Sequence, residues 1–322
     1  MLAFWISLTV VLAALILILI TTLICFKLAF YSSRKQKKNP PEFDIPPGKI
    51  YEPYREQMVA WMKEARAMPC REVSITSFDG LKLYGKYYEY KKGAPIELMM
   101  HGYRGTAERD LCGGIQRCFS LGRSCLIIDQ RGAGKSEGHV ISFGISEHRD
   151  CLDWVDFIIN NIDKDAKIIL CGISMGAATV LTAAGKETPE NVVGVLADCG
   201  YTSAKEIIQI VIRKMGLPAK LLYPFVRLGA RVFGGFKLEE TSPIDAMRVT
   251  RLPVIFFHGE SDDFVPCDMS ILNHEACRAE KRLVTIPNAG HGLCYLVDPE
   301  KYLETLAEFS REHYKIECGY HH

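Results

Sequence analysis

Apolar positions fall into three patterns along the chain. Met1 to Phe26 carries no charged side chain, and 26 residues at ~1.5 Å each make ~39 Å of helix against a hydrocarbon core of ~30 Å. This predicts a transmembrane helix over residues 1–31. From Arg71 onward short β-type runs alternate with helical ones, and strands are expected at 72–76, 81–88, 96–101, 124–129, 167–171, 192–198, 254–258 and 282–286. Those from Ile96 onward are mostly continuous apolar runs, the pattern of parallel strands buried on both faces, with helices such as 145–159 and 302–313 covering them. The first two alternate and are separated by Phe78-Asp79-Gly80, which predicts an antiparallel hairpin at the sheet edge. The expected architecture is α/β: eight strands, mostly parallel, with crossover helices on both faces. Between Tyr201 and Val249 the alternation stops, and two helical stripes take over: Ile207, Ile208, Val211, Met215, then Leu221, Leu222, Phe225, Leu228, Val232. An inserted helical cap is expected there, leaving the sheet at the carboxyl end of a strand, where open α/β folds bind ligands. Its apolar face either roofs an acyl pocket or packs on the domain below.

Composition narrows this plan. With 322 residues, 48% of them hydrophobic, and a net charge of +1, the chain can bury one large core and has no electrostatic signature for nucleic acid. The expected layout is a membrane helix over 1–31, a basic juxtamembrane segment and linker over 32–70, and a catalytic α/β domain over 71–322 with its cap at about 201–249. Lys27, Arg34, Lys35, Lys37 and Lys38 follow the apolar span, so the positive-inside bias puts the bulk of the chain on the cytoplasmic side of a cell membrane. The same cluster either also touches anionic headgroups or serves topology alone. Asn39-Pro40-Pro41 and Pro46-Pro47-Gly48 read as extended linker. A cleaved signal peptide fits poorly, because nothing basic precedes Lys27 and the stretch 26–31 is bulky. Twelve cysteines are scattered from Cys25 to Cys318 with no Cys-x-x-Cys spacing, so zinc and thioredoxin-like chemistry drop out. Cys171 and Cys199 read as small buried residues, and reduced thiols agree with a cytoplasmic domain. No internal repeat is visible, and His321-His322 reads as a tail.

Candidate chemistry centres on Gly172-Ile173-Ser174-Met175-Gly176, between the apolar run 168–171 and the alanine-rich stretch 177–184. Strand, tight turn and helix in that order make Ser174 a candidate nucleophile: glycines two residues either side let strand and helix approach, and the hydroxyl is pushed outward. The turn also puts the Met175 N–H at a helix start, where unpaired amides face a developing oxyanion. A serine hydroxyl needs a histidine to take its proton and an acid to hold that histidine in the right tautomer. Both lie downstream, in the polar loop His258-Gly259-Glu260-Ser261-Asp262-Asp263-Phe264-Val265-Pro266 and in Asn288-Ala289-Gly290-His291-Gly292. His291 is the candidate base, and Asp198 at a strand end is a further candidate acid. His101 and His258 are expected to support their loops. Glu260, Asp262, Asp263 and His258 do not form a spaced ligand set, so no metal is expected. Gly134-Lys135-Ser136 fails as a phosphate loop, because Asp129 stands where such a loop needs glycine and no helix follows the lysine; a structural turn beside the site is expected.

These residues also carry a family resemblance. From about Val73 the chain resembles the α/β-hydrolase superfamily, in particular the group that combines HGxxG, DxRGxGxS, GxSxG, HGxxDxxVP and GH motifs, all present here in order. The resemblance implies the α/β-hydrolase fold, and an oxyanion hole from the backbone N–H groups of Tyr103, in His101-Gly102-Tyr103-Arg104-Gly105, and Met175. It selects Asp262 as the acid, with Asp263 the fallback. The group is similar to monoacylglycerol-lipase-like and serine-aminopeptidase-like proteins, including bacterial members with an N-terminal membrane helix, and departs from prolyl aminopeptidases, whose elbow reads GGSWG. Together with the apolar span, these readings lead to the expectation of a cofactor-free, membrane-anchored serine hydrolase acting through an acyl-enzyme, and the apolar cap and membrane tether suggest acylglycerol, lysophospholipid or other acyl esters as substrates. A peptidase or amidase using the same machinery, and a non-catalytic membrane-tethered scaffold, are the alternatives.

Overall fold

A computed structural model describes residues 1–33 and 42–317. The basic residues Arg34, Lys35, Lys37 and Lys38, the Asn39-Pro40-Pro41 linker, Cys318 and the terminal histidines lie outside the described residues. Strands β1 (Arg71–Thr76), β2 (Lys82–Tyr88), β3 (Ile96–Met100), β4 (Ser124–Asp129), β5 (Ile168–Ile173), β6 (Val192–Asp198), β7 (Val254–Gly259) and β8 (Lys281–Ile286) form one sheet. Their order across it is β1-β2-β4-β3-β5-β6-β7-β8. The expected hairpin is there: β1 pairs antiparallel with β2, and β2 with β4, while β3 to β8 are parallel. Gly80, at φ +87°, closes the hairpin turn with a Ser77–Asp79 side-chain bond of 2.6 Å. The strand β5 runs two residues further than expected, up to the serine turn.

Helices are α1 (Leu2–Ala29), α2 (Arg55–Ala67), α3 (Ala107–Ser120), α4 (Glu147–Asn161), α5 (Met175–Ala184), α6 (Ala204–Lys214), α7 (Ala219–Val232), α8 (Pro243–Met247), α9 (Asp268–Ala276), α10 (Cys294–Val297) and α11 (Pro299–Phe309). Side chains of successive strand residues point to opposite faces, and the core divides accordingly. Met99, Ile127, Cys171, Leu196 and Phe257 pack under α3 and α11, whereas Leu98, Met100, Leu126, Ile128 and Leu170 pack under α4 and α5. Within the first layer Glu97 is fully buried between the guanidinium groups of Arg117 and Arg123, the latter at 2.6 Å. Two cations around one carboxylate satisfy a charge that would otherwise be very costly to bury.

Two segments depart from the sequence reading. Residues 55–67, expected as linker, form α2, because Met58, Met62 and Ala65 recur at helical spacing and bury against α3. In the insertion, α8 packs on α5 and α9, α6 meets the main domain through Ile207, buried with Met175, Ala178, Val265 and Met269, and α7 packs on α6 and α1. The apolar faces of α6 and α7 pack on each other and on the end of α1: Phe26 and Phe30 are buried with Ile208, Tyr223, Val226, Ala230 and Phe236. Gly229 permits this contact, since a Cβ there would sit 3.0 Å from the Thr22 carbonyl and from the Phe26 side chain. Residues 1–20 of α1 are exposed throughout, and burial begins at Thr22.

Candidate active site

The turn after β5 is built by exclusion. Ser174 has φ +56° and ψ −118°, a strained conformation for a residue with a side chain. A Cβ on Gly176 would lie 2.8 Å from the His101 carbonyl and closer still to that of Met100, and one on Gly172 would strike the Gly176 carbonyl. Only glycine fits at either position. The Ser174 N–H is held by the Asp198 carbonyl at 2.8 Å, so the hydroxyl projects from the carboxyl edge of the sheet with Met175 as the first residue of α5.

Three distant side chains meet there. The Ser174 hydroxyl donates to His291 Nε2 at 2.9 Å, and His291 Nδ1 donates to Asp262 Oδ2 at 2.7 Å. The other oxygen, Oδ1, accepts the N–H groups of Phe264 and Val265, each at 2.8 Å. Burial pushes the Asp262 carboxyl up, but hydrogen bonds and charge from His258 and His291 outweigh it and hold the group well below the usual carboxylate range. With Nδ1 fixed as donor, Nε2 is left as acceptor for the serine proton, the tautomer that nucleophilic catalysis requires. Asp263 is exposed at the pocket rim and Asp198 is buried under Tyr302, whose hydroxyl it accepts at 3.1 Å; neither has a hydrogen bond to His291 among the described residues.

His101 and His258 both brace loops. His101 accepts the Gln130 N–H at Nε2, 3.0 Å, and donates from Nδ1 to the Gly102 carbonyl at 2.7 Å. His258 is bonded to Ser270 at 2.6 Å and to the Val265 carbonyl at 2.9 Å. Asp129 ties its turn together by accepting N–H groups of Ala107 and Lys135, each at 3.0 Å, and the adjacent Arg131 is bidentate on buried Asp150. The Gly-Lys-Ser stretch is therefore a folded turn built around a carboxylate, with no vacant anion cradle.

Tyr103 and Gly102 pass directly over Ser174, where a Cβ on Gly102 would lie 3.6 Å from that of Ser174. This loop is anchored on both sides. Asp110 accepts the Gly102 N–H at 3.2 Å. On the other side the Tyr103 hydroxyl donates to the Ala29 carbonyl at 2.7 Å, and Arg104, with φ +54°, donates to the carbonyls of Leu28 at 2.9 Å and Tyr31 at 3.2 Å. The last carbonyls of α1, which have no partner inside the helix, are thus capped by the candidate oxyanion loop.

The pocket in front of Ser174 has a volume of about 570 Å³ and is lined by Ile50, Tyr51, Met58, Tyr103, Ile173 and Phe264 among others. None of its lining residues comes from the 201–249 insertion; of the two roles open to the cap, packing is the one seen. The roof is instead the stretch 46–51, read from sequence as linker. Tyr51 fixes it by donating its hydroxyl to the His291 carbonyl at 3.0 Å. Sequence reasoning missed this strap, the Tyr103–Arg104 clamp and one more neighbour: the Cys199 thiol lies within 4.8 Å of the Asp262 and His291 ligand atoms. Burial, then the carboxylates of Asp198 and Asp262, push that thiol well above its ordinary pKa, so it stays protonated beside an aspartate and histidine already bonded to each other. This does not make a metal site.

Residues 98–240 match the α/β-hydrolase fold family. The chain is similar to the uncharacterized protein YqkD of Bacillus subtilis, 30% identical over 192 residues that cover 59% of this chain and 63% of that protein's length. It is also similar to protein bem46 of Schizosaccharomyces pombe, 27% identical with 70% of each chain covered. Among solved structures, the Pyrococcus furiosus esterase Pf2001 superposes with a TM-score of 0.63 at 21% identity, covering 86% of this chain and 98% of the esterase. Strand order, the serine turn and these matches agree that the chain has the α/β-hydrolase fold.

Proposed function

We propose that the chain is a membrane-anchored serine hydrolase that cleaves carboxylic esters through an acyl-enzyme. The observation that carries this is the continuous hydrogen-bond chain from Ser174 through His291 to Asp262. In this reading His291 takes the serine proton as Oγ attacks the ester carbonyl carbon, and the imidazolium that forms is stabilised by ionised Asp262. The backbone N–H groups of Met175 and Tyr103 receive the oxyanion, each donor contributing about 3 kcal/mol by comparison with measured cases. Collapse of the tetrahedral intermediate expels the alcohol, protonated by His291, and leaves an acyl ester on Ser174; water activated by the same histidine releases the acid. The apolar walls of the pocket favour acylglycerols, lysophospholipids or other acyl esters of modest size. Helix α1, which contains an 18-residue stretch of mean hydropathy 3.0, serves as the span, and by the positive-inside bias Lys27 and the basic residues after it put the catalytic domain on the cytoplasmic side.

The test is labelling of the full-length protein by a fluorophosphonate probe together with turnover of short-chain p-nitrophenyl esters. Both should be lost in Ser174→Ala. Labelling of the variant equal to wild type, on folded protein, would refute the assignment. Cleavage of aminoacyl amides without any ester turnover would put the peptidase reading in its place.

A further inference from the structure

Helices α6 and α7 of the insertion have a composition unlike the rest of the chain. Across residues 204–232 six cations, Lys205, Arg213, Lys214, Lys220, Arg227 and Arg231, face a single acid, Glu206, within a chain whose net charge is +1. The same surface exposes large apolar side chains: Met215 and Leu217 in the turn between α6 and α7, then Leu221, Leu228 and Val232 along α7, all between 40% and 64% exposed. The spacings of seven and four place the last three on one stripe, separate from the face bearing Val226, Gly229 and Ala230 that packs on α1.

Contacts between the helices fix where this surface lies. Gly229 meets Thr22 and Phe26, Phe233 packs at a tilt against Phe26, and Phe236 packs edge-on against Phe30. Both segments therefore advance in the same sense, and the start of α7 lies towards the bare part of α1. Leu221 precedes Gly229 by eight residues, up to ~12 Å of helix rise. The bare part, residues 2–20, is ~28 Å long, which matches one hydrocarbon core. If α1 spans a bilayer as proposed above, the boundary of that bilayer falls beside the 213–221 turn.

We infer that the α6–α7 turn is a second membrane contact of this protein, seated on an anionic lipid surface. Met215, Leu217 and Leu221 enter the boundary between headgroups and acyl chains, while Arg213, Lys214 and Lys220 meet lipid phosphates. Apolar and basic side chains interleaved on a helix at the interface are the combination that binds there. A contact on this side fixes the catalytic domain about the axis of α1, which a single tether cannot do. This inference rests on α1 being a span, and its test separates the two.

Full-length protein is placed in nanodiscs of phosphatidylcholine alone and of phosphatidylcholine mixed with phosphatidylglycerol, and amide hydrogen exchange is followed by peptide. Residues 2–20 should be protected in both discs, which reports the span. Residues 213–222 should exchange about tenfold more slowly in the anionic discs. The triple variant Arg213→Glu, Lys214→Glu, Lys220→Glu should remove that difference while 2–20 stays protected. Equal exchange of 213–222 in the two discs, with 2–20 protected, would overturn the inference and leave the span intact; rapid exchange at 2–20 would overturn the span and the inference together. Protection of 213–222 that instead follows protein concentration and ignores lipid charge would assign the surface to a second copy of the chain and overturn the lipid contact.

Discussion

The clamp between the loop over Ser174 and the end of α1 makes a quantitative demand. Arg104 sits at φ +54°, a conformation that costs a residue with a side chain on the order of 1–3 kcal/mol unless its surroundings hold it. Two charge-assisted bonds from Arg104 to the Leu28 and Tyr31 carbonyls, and one from Tyr103 to Ala29, supply that restraint, at about 1.5–3 and about 1 kcal/mol each. Arg104→Ala removes the charged bonds and keeps the strain, so the loop should relax away from Ser174. Loss of one oxyanion donor costs roughly 100- to 1,000-fold in kcat; partial displacement should give about 10- to 100-fold, with KM changed less than about threefold, because the loop supports the transition state more than the bound ester. Tyr103→Phe, losing one neutral bond, should cost about fivefold. Arg104→Gly separates the causes, since glycine accepts this φ without strain but lacks the clamp. Steady-state hydrolysis of p-nitrophenyl butyrate by full-length protein in detergent measures all three. Wild-type kcat in Arg104→Gly would show that backbone conformation alone sets the loop, and an unchanged kcat in Arg104→Ala would refute the whole argument.

Three further outcomes are expected. Gly176→Ala drives a methyl group into the Met100 carbonyl and should destabilise by more than about 3 kcal/mol or prevent folding, read by thermal melting; a melt within a few degrees of wild type would contradict the turn geometry. Glu97→Gln leaves the buried Arg117 and Arg123 without their counter-charge and should cost about 3–5 kcal/mol, seen as a lower denaturation midpoint with unchanged slope. Asp262 is held below its free carboxylate pKa of about 3.9, so its ionised form adds stability that is complete above that pH and is lost as pH falls further. The stability gap between wild type and Asp262→Asn should therefore be constant from neutral pH to about 4 and narrow below it; a gap that widens in acid would reverse the assigned shift.

Much of the serine turn was legible because local sterics dictate it: Gly172 and Gly176 are demanded by backbone atoms four residues away or on the adjoining strand, and the β5–α5 pattern announces the junction. Sheet and hairpin were legible for the same reason, through burial on two faces or one. What was not legible depends on partners far along the chain. Tyr51 and His291 are 240 positions apart, and nothing in Pro46-Pro47-Gly48 says that the segment turns back over a pocket. The stripe on α7 showed that one face is buried but carried no sign that its partner would be Phe26 and Phe30. The role of Arg104 was not legible either, since neither its left-handed backbone nor its capping of α1 leaves a local signature.

One consequence of the strap bears on how the protein is handled. A fragment begun at residue 71, the natural cut for anyone trimming to the sheet, discards Ile50, Tyr51 and Met58 from the pocket wall, along with the phenol that steadies the His291 backbone and the α1 carbonyls that grip Tyr103 and Arg104. On the proposed function, release from the membrane by a cut between Met58 and Arg71 would act the same way: the freed domain would have an unroofed, loosened centre, so detachment would inactivate it instead of liberating it.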